Sequence, residues 1–486
     1  MAFKPHVVIF PFMSQGHTMP LLDLSKALSC QGLKVTIITT PSNSSSIRSY
    51  ISHYSNIPLR EIPFPHVQQL PKGCENTSQL LSHDQLILFL IATKQLQEPF
   101  EETLRDMSKL LDPPACVISD TFLGWTNASC CKFGIPRLAF NGMSMFATAV
   151  KKSLSIHQNH KWVKSDTEPL DVKGVVQLRF AAMDTCLSQF YVEAEKSDLG
   201  SWGVIVNSFS ELEKDYVASL ESLYGNDTRA WCVGPLFLYN DQLEEASIGP
   251  DGPFPHKKWD NWLNQHEHEN SVIYVSFGSQ ANLCESQLNE LAYGLDLSGK
   301  DYIWVVRSKN WEPPSDIDKG RGLIVEEWVD QRWVLAHQAI GGFLSHCGWN
   351  SVLESLSMGI PILAWPMQNE QYLNAKLLVE EIKVGLQLPT VTRDGKVVRR
   401  EVIGEAVKEL MGGEKGKRVR EKAIKIGKMA KRAVQVGGSS HKCLNELIDQ
   451  LSHVNPIGNG NGNGILHSVL ATESCDNQPG SLSLSL

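Results

Sequence analysis

The chain has 486 residues, several times a domain of roughly 150, so at least two domains are expected and a single small module is excluded. Hydrophobic residues make up 42% and charged residues 20%, a balance that supports sizeable cores and rules out wholesale disorder. Lys plus Arg total 45 against 53 Asp plus Glu, a net charge of −8, and with no long basic block a nucleic-acid partner is not expected.

The first residues hold one Lys and a short apolar run between prolines, without the h-region or cleavage site of a signal peptide. Elsewhere the longest apolar stretches, such as Leu86–Ala92, fall far short of the roughly 18 residues of a membrane span. A cytosolic protein with no membrane span is expected. The 11 cysteines are scattered without a CxxC, which argues against a disulfide framework or a zinc site. Sequons at Asn43, Asn76, Asn127 and Asn226 are read as chance matches.

In chain order, a β-rich run at His6–Phe10 leads into a Pro/Gly/Ser loop, an amphipathic segment at Leu21–Cys30, and a second β-rich run at Lys34–Thr39. This is the strand–helix–strand rhythm of a parallel sheet. Further strands are expected at Cys116–Ser119, Pro136–Phe140, Gly203–Val206 and Trp231–Val233. A second α/β series carries expected strands at Val272–Phe277, Tyr302–Val306, Gly322–Val325, Ile340–Leu344, Pro361–Ala364 and Val384–Leu386. The predicted fold class is therefore α/β, with two doubly wound domains facing across a cleft. The first covers 1–235 and the second 257–438, joined by a linker at 236–256. A final helix at 439–454 is expected to return to the first domain, and the Gly/Asn/Ser-rich stretch 455–486 is read as a disordered tail.

Nucleotide fingerprints are weak: the first loop offers only Gly16, and Gly412–Arg418 fails the phosphate-loop pattern. The segment Phe343–Glu354 is richer. It follows a predicted strand, turns through Gly348 and enters a helix at Asn350 and Ser351, so backbone N–H groups point into the cleft, where a phosphate fits. Ser351-x-x-Glu354 also reads as a capping box, which needs no ligand. His346 and Trp349 at the helix entrance suit phosphate and ring contacts, Glu370 and Gln371 suit hydroxyl recognition, and Trp328 offers an indole on which a base can stack. In the first half, His17 closes the first strand's loop and Asp120 ends a strand of the same sheet. An imidazole with a reference pKa near ~6.5 is a suitable general base.

Trp328 through Gln371 resembles the signature box of plant UDP-dependent glycosyltransferases, with His337, Gly342, His346-Cys-Gly-Trp-Asn-Ser351, Glu354, Gly359, Pro361, Pro366 and Glu370-Gln371 in register. Similarity extends through Ser14–His17, Asp120, Val206–Glu213, Val233–Pro235, Tyr274–Ser279 and Trp304–Arg307. The resemblance implies a GT-B enzyme of two Rossmann-like domains, with the sugar donor held mainly by the second and the acceptor by the first. It implies that Trp328 stacks on uracil while the Val329 backbone bonds its edge, and that Gln331 and Glu354 take the ribose hydroxyls. Ser279, His346, Asn350 and Ser351 would bind the diphosphate, and Trp349, Glu370 and Gln371 the hexose. Asp120 would orient His17. At position 330 the chain has Asp where the family more often has Pro, and Asn141-Gly142 stands where some members offer a Thr hydroxyl to the sugar.

The expected activity is inverting transfer of glucose from UDP-glucose to a hydroxyl of a flavonoid, other phenolic or triterpenoid, giving a β-glucoside. The alternative is a catalytically silent nucleotide-sugar-binding protein, which would need neither His17 nor Asp120. No cofactor or metal is expected, and Asp316-Ile-Asp318, a possible metal-binding triplet, is read as a solvated loop. Phe12, Met13, Phe89, Phe122, Met143 and Met145 are candidates for an apolar acceptor wall, each against the alternative of ordinary core packing. The protein is expected to act as a monomer.

Overall fold

The computed structural model of the chain describes residues 4–157, 170–172, 176–178, 185–224, 228–239, 258–278, 283–308, 311–318, 320–389 and 397–454. Ser279, Asn226, most of the expected linker and the tail from 455 lie outside the described residues.

The first half contributes β1 (His6–Phe10), β2 (Lys34–Thr39), β3 (Leu59–Glu61), β4 (Pro114–Asp120), β5 (Arg137–Asn141), β6 (Leu170–Val172), β7 (Val176–Leu178), β8 (Gly203–Val206) and β9 (Arg229–Cys232). Apart from the antiparallel hairpin β6–β7, these form one parallel sheet in the order β3-β2-β1-β4-β5-β8-β9. The second half contributes β10 (Val272–Ser276), β11 (Asp301–Val305), β12 (Gly322–Val325), β13 (Ile340–Ser345), β14 (Ile362–Ala364) and β15 (Gly385–Gln387), a parallel sheet ordered β12-β11-β10-β13-β14-β15. Every residue of β1, β4 and β10 is buried. Helices on both faces leave a central strand no wet side, which is why these segments read as continuous apolar runs.

Both sheets reverse direction at their first strand, and this positions the site. From β1 the order runs through β2 to β3 on one side and through β4 to β9 on the other; from β10 it runs to β12 on one side and to β15 on the other. Loops leaving the carboxyl ends at such a reversal diverge and open a crevice. The register pairs Phe10 with Ser119 across β1 and β4, and Ser276 with Ser345 across β10 and β13. The loops carrying His17 and Asp120, and those carrying Gly278 and His346, therefore emerge side by side.

The strand β3 and the pair β6–β7 were not anticipated, since three-residue segments containing polar residues carry no apolar run. The first helix spans Gln15–Cys30 rather than starting at Leu21, with Pro20 inside it. The packed chain also continues past Pro235: Leu236, Phe237, Leu238 and Tyr239 are buried in the same apolar cluster as Trp231 and Val233. That cluster crosses between the halves, taking in Trp349, Val352 and Leu356 as well as Leu444, Leu447 and Leu451 of the last helix, Ser439–His453. This helix lies against the first half, with Ser440 Oγ donating to the Gly234 carbonyl at 2.5 Å and Ser439 Oγ to Glu211 at 2.7 Å.

Candidate active site

A cleft of about 330 Å³ between the two sheets is lined from both halves. His17 comes from the first turn of the helix Gln15–Cys30, and Asp120 is the last residue of β4. Their side chains meet at 2.8 Å, Nδ1 to Oδ2. A carboxylate only accepts, so Nδ1 carries the proton and the Nε2 lone pair is left for chemistry. Asp120 is fully buried and fixed from two further sides, its Oδ1 accepting from the Phe122 N–H at 2.9 Å and its carbonyl from Arg137 at 3.2 Å. Phe12 and Phe122 flank the imidazole at 5.3 and 4.7 Å between ring centroids. Burial alone would lower the His17 pKa, but the charge and hydrogen bond of Asp120, with a contribution from Glu370, outweigh it and raise the value above 6.5.

On the opposite wall the helix Trp349–Ser357 begins behind Gly348, which has no side chain to cap it. Ser351 lies inside this helix rather than at its cap, so the capping-box reading is overturned; its hydroxyl instead accepts from Gln331 Nε2 at 2.9 Å. The same amide donates to Glu354 at 2.7 Å. Burial pushes the Glu354 carboxyl up to about 7 against the opposing charge of Arg332. Gln331, Ser351 and Glu354 thus hold one another in a polar triangle that presents hydrogen-bonding groups to the cleft. Asp330 accepts from the Arg332 and Trp333 N–H groups and caps the helix Gln331–Ala336. Its φ of −72° is one a proline adopts without strain, so Asp replaces a stiff residue with a capping one. Trp328 is 42% exposed on this rim, while Val329 is buried beside it.

His346 stands between two glycines. A Cβ on Gly278 would come within 2.8 Å of its ring and one on Gly348 within 2.5 Å, so only glycine leaves the imidazole its place. Burial pulls its pKa down to about 4, making it a neutral donor rather than an imidazolium. Among the described residues its Nδ1 and the Asn350 Oδ1 are buried without a hydrogen-bond partner, unspent polar atoms beside the free helix N–H groups. An anion such as a diphosphate fits that setting.

Several of these residues also join the halves. Trp349 Nε1 donates to the Asn207 carbonyl at 2.8 Å, and Asn350 Nδ2 to the Gly16 carbonyl at 2.7 Å. Arg332 donates to the Tyr50 hydroxyl, which in turn donates to Asp23 at 2.5 Å. Trp349 is buried with its only side-chain donor committed, so its side chain offers the cleft an indole edge rather than a hydrogen bond. Gln371 Oε1 accepts from the Met367 and Gln368 N–H groups, leaving Nε2 as the side of the amide those bonds do not use. Glu370 stands beside it on the cleft wall.

Phe12, Phe122 and Met143 line the first-half wall, as do Tyr191 and Lys151, which the sequence reading did not single out. Met13 and Phe89 do not: both are core residues, Phe89 packing edge-on beneath Phe12 at 6.0 Å and stacking on Phe64 at 5.0 Å. Met145 is likewise buried, in the cluster behind β8. Met13 and Phe89 point inward where an adjacent residue, Phe12 or Leu90, faces the cleft. Asp316 accepts from the Tyr293 hydroxyl and Asp318 from Arg321, and neither lines the cleft.

Residues 5–238 match the family described as glycosyltransferase, N-terminal domain, and residues 235–427 match UDP-glucoronosyl and UDP-glucosyl transferase. UDP-glycosyltransferase 90A1 of Arabidopsis thaliana is 40% identical, covering 92% of this chain and 96% of its own. The scopoletin glucosyltransferase of Nicotiana tabacum is 36% identical, covering 93% of this chain and 99% of its own. The chain belongs to the plant UDP-glycosyltransferases. Among solved structures, Glycyrrhiza uralensis UGT73P12 complexed with glycyrrhetinic acid 3-O-monoglucuronide aligns with a TM-score of 0.80 and 31% identity over 93% of this chain and 96% of that one. This glycosyltransferase therefore has the GT-B architecture of two Rossmann-like domains. Among its described residues no helix is long and apolar enough to cross a membrane.

Two cleft residues of this glycosyltransferase that the sequence reading missed sit within helices. Lys151 interrupts the largely apolar helix Met145–His157, and Tyr191 the helix Thr185–Asp198. The cation pair Lys151-Lys152 in an otherwise largely apolar helix was the available signal for the first. Tyr191 gave none, because aromatic residues at helical spacing belong to cores as a rule.

Proposed function

We propose that the enzyme transfers glucose from UDP-glucose to a hydroxyl of a lipophilic aromatic or fused-ring acceptor, with inversion and without a metal or other cofactor. The observation that carries this reading is the His17–Asp120 pair, 2.8 Å apart, opening onto the same cleft as the polar triangle and His346. The acceptor O–H gives its proton to His17 Nε2, its oxygen forms a bond to the anomeric carbon, and the bond from that carbon to the diphosphate breaks, UDP leaving with the electron pair. One displacement on an α-linked donor yields a β-glucoside. Asp120 holds the imidazole in the required tautomer and balances the imidazolium that forms.

In this reading uracil stacks on Trp328 and bonds the Val329 backbone, and the ribose hydroxyls meet Gln331 and Glu354. The diphosphate meets the N-terminus of the helix Trp349–Ser357 together with His346, Ser351 and Ser279, and Asn350 contributes the amide that also reaches Gly16. The hexose lies toward Trp349, Glu370 and Gln371. Leaving-group charge is met by preorganised N–H donors, the arrangement that stabilises developing anions most effectively. The compounds named for two relatives, scopoletin for the tobacco enzyme and glycyrrhetinic acid 3-O-monoglucuronide for the Glycyrrhiza structure, support an apolar, fused-ring partner for Phe12, Phe122 and Met143.

The test is UDP release from UDP-glucose with and without a library of hydroxylated acceptors, with the anomeric configuration of any product read by NMR. Acceptor-dependent release and a β-product support the reading. Tight UDP-glucose binding with no release under any acceptor would identify a silent binding protein, and an α-product would exclude single displacement.

A further inference from the structure

The acceptor end of the cleft contains an ammonium group that forms no ion pair among the described residues; the nearby Glu195 carboxyl feels its charge, but burial raises that carboxyl's pKa and so disfavours its anionic form. Lys151 is half-buried on the helix Met145–His157 and lines both the main cleft and a small cavity behind it. Its Nζ contacts the Met143 thioether at 3.6 Å and sits over the Tyr191 ring at 4.9 Å. A thioether is a weak acceptor, and a ring face satisfies a cation only partly. Among the described residues no carboxylate forms an ion pair with it, whereas the buried cations nearby are provided for: Arg137 bonds Asp198 at 2.7 Å, and Lys152 donates to the Glu195 carbonyl at 3.2 Å.

We propose that Lys151 anchors a carboxylate-binding subsite in the acceptor wall, so that the enzyme selects acceptors carrying an acidic group beside an apolar ring system. This rests on reading the Phe122–Met143–Tyr191 wall as the acceptor side. The rings and thioether around Lys151 suit the apolar body of such a molecule, and the ammonium supplies three donors for its carboxylate. Lys151 is near enough to His17 for its charge to oppose protonation of the imidazole, so the subsite lies within one small molecule's reach of the base. The cavity behind it, about 20 Å³ and bounded by Thr148, Glu195 and Asp198, is large enough for one water. It is too small for a substituent, so the carboxylate stays on the cleft side.

A carboxylate could also arrive on the donor, as in UDP-glucuronate, and the test separates the two sources. The full-length enzyme is assayed with UDP-glucose on 4-hydroxycinnamic acid and a fused-ring hydroxy acid, each against its methyl ester, scoring transfer to the hydroxyl. The wild type is expected to favour each acid over its ester in kcat/KM. Lys151→Met should reduce that ratio about tenfold, the scale of one charge-assisted hydrogen bond, and Lys151→Arg should keep most of it. The preference should also weaken with added salt, a measurement on the wild type that decides the matter if the Met variant fails to fold. An acid-to-ester ratio unchanged in Lys151→Met, or insensitive to salt, overturns the proposal. So does a loss confined to UDP-glucuronate relative to UDP-glucose, which would assign Lys151 to the donor. Absence of transfer to any acceptor would instead sink the proposed function itself, whereas transfer without charge discrimination removes only this subsite.

Discussion

The Asn350 side-chain amide donates to the Gly16 carbonyl at 2.7 Å, and the reason that carbonyl is available lies at Pro20. In a regular helix the N–H of residue 20 would bond the carbonyl of residue 16; proline has no N–H and its ring crowds that carbonyl. An imperfection in one domain's helix thus becomes the acceptor for the other domain's signature loop, one residue from the proposed base. Asn350→Ala should cost about 0.5–1.5 kcal/mol, read as a lower melting temperature, and should also lower kcat/KM. Pro20→Ala restores the helical donor to Gly16, so the stability cost of Asn350→Ala should shrink in that background. A double-mutant cycle with no coupling between the two positions would refute this account.

His17→Ala should abolish most transfer while leaving UDP affinity close to wild type, measured by turnover and calorimetry, because the proposed function has the nucleotide held by the other domain. The pH profile is more discriminating. A base must be unprotonated, and the His17 pKa is raised above 6.5, so kcat/KM should fall as pH drops through a value above 6.5. In Asp120→Asn the influence of burial is no longer outweighed, and the acid limb should move below about 6.5 while the maximum rate drops. An acid limb that stays in place in the variant would contradict the pairing.

UDP binding should itself depend on pH through Glu354. Burial pushes this carboxyl to about 7, so the accepting carboxylate form dominates above that value and is lost below it. Titrating UDP from pH 8 to pH 6 should show affinity declining through about 7, and Glu354→Gln should flatten that dependence. Equal pH dependence in the two proteins would place the titrating group elsewhere.

Donor choice is expected to rest on Gln371. With its Oε1 accepting from two backbone N–H groups, only its Nε2 is left to address a sugar hydroxyl. Gln371→His removes that donor and releases the backbone it braces. It should lower kcat/KM for UDP-glucose by the equivalent of about 1–3 kcal/mol, with a smaller effect on UDP-galactose. Competition between the two donors checks this, and an unchanged ratio would show that the sugar is read elsewhere.

Turnover should survive EDTA. The helix Trp349–Ser357 and His346 present neutral N–H donors, and Asp316 and Asp318 are engaged by Tyr293 and Arg321 away from the cleft. Loss of activity on chelation, restored by Mn²⁺, would require another account of the leaving group.

Much of this was legible in the sequence because buried parallel strands are continuous apolar runs and the segment Trp328–Gln371 carries a long run of family-specific residues. Twelve strands were located to within a residue or two of their bounds; the shared sheet edge of His17 and Asp120 was readable from the strands, while their pairing was implied by the family resemblance. What escaped notice depends on partners distant in sequence. Nothing in Trp349 foretells that its N–H reaches Asn207, nor in Ser351 that Gln331 claims its hydroxyl rather than the helix end. Phe89 and Phe122 look equivalent in one dimension, yet one is fully buried in the core and the other borders the cleft.

The return of the helix Ser439–His453 to the first domain has a consequence for building hybrids between relatives. Leu444, Leu447 and Leu451 pack with first-domain residues although they lie at the far end of the chain. A single crossover after Tyr239 would therefore mismatch an apolar surface even when each parent folds well. A hybrid intended to combine one parent's acceptor range with another's donor needs two junctions, the second near Gly437-Gly438, so that this helix travels with the amino-terminal parent it was shaped to fit.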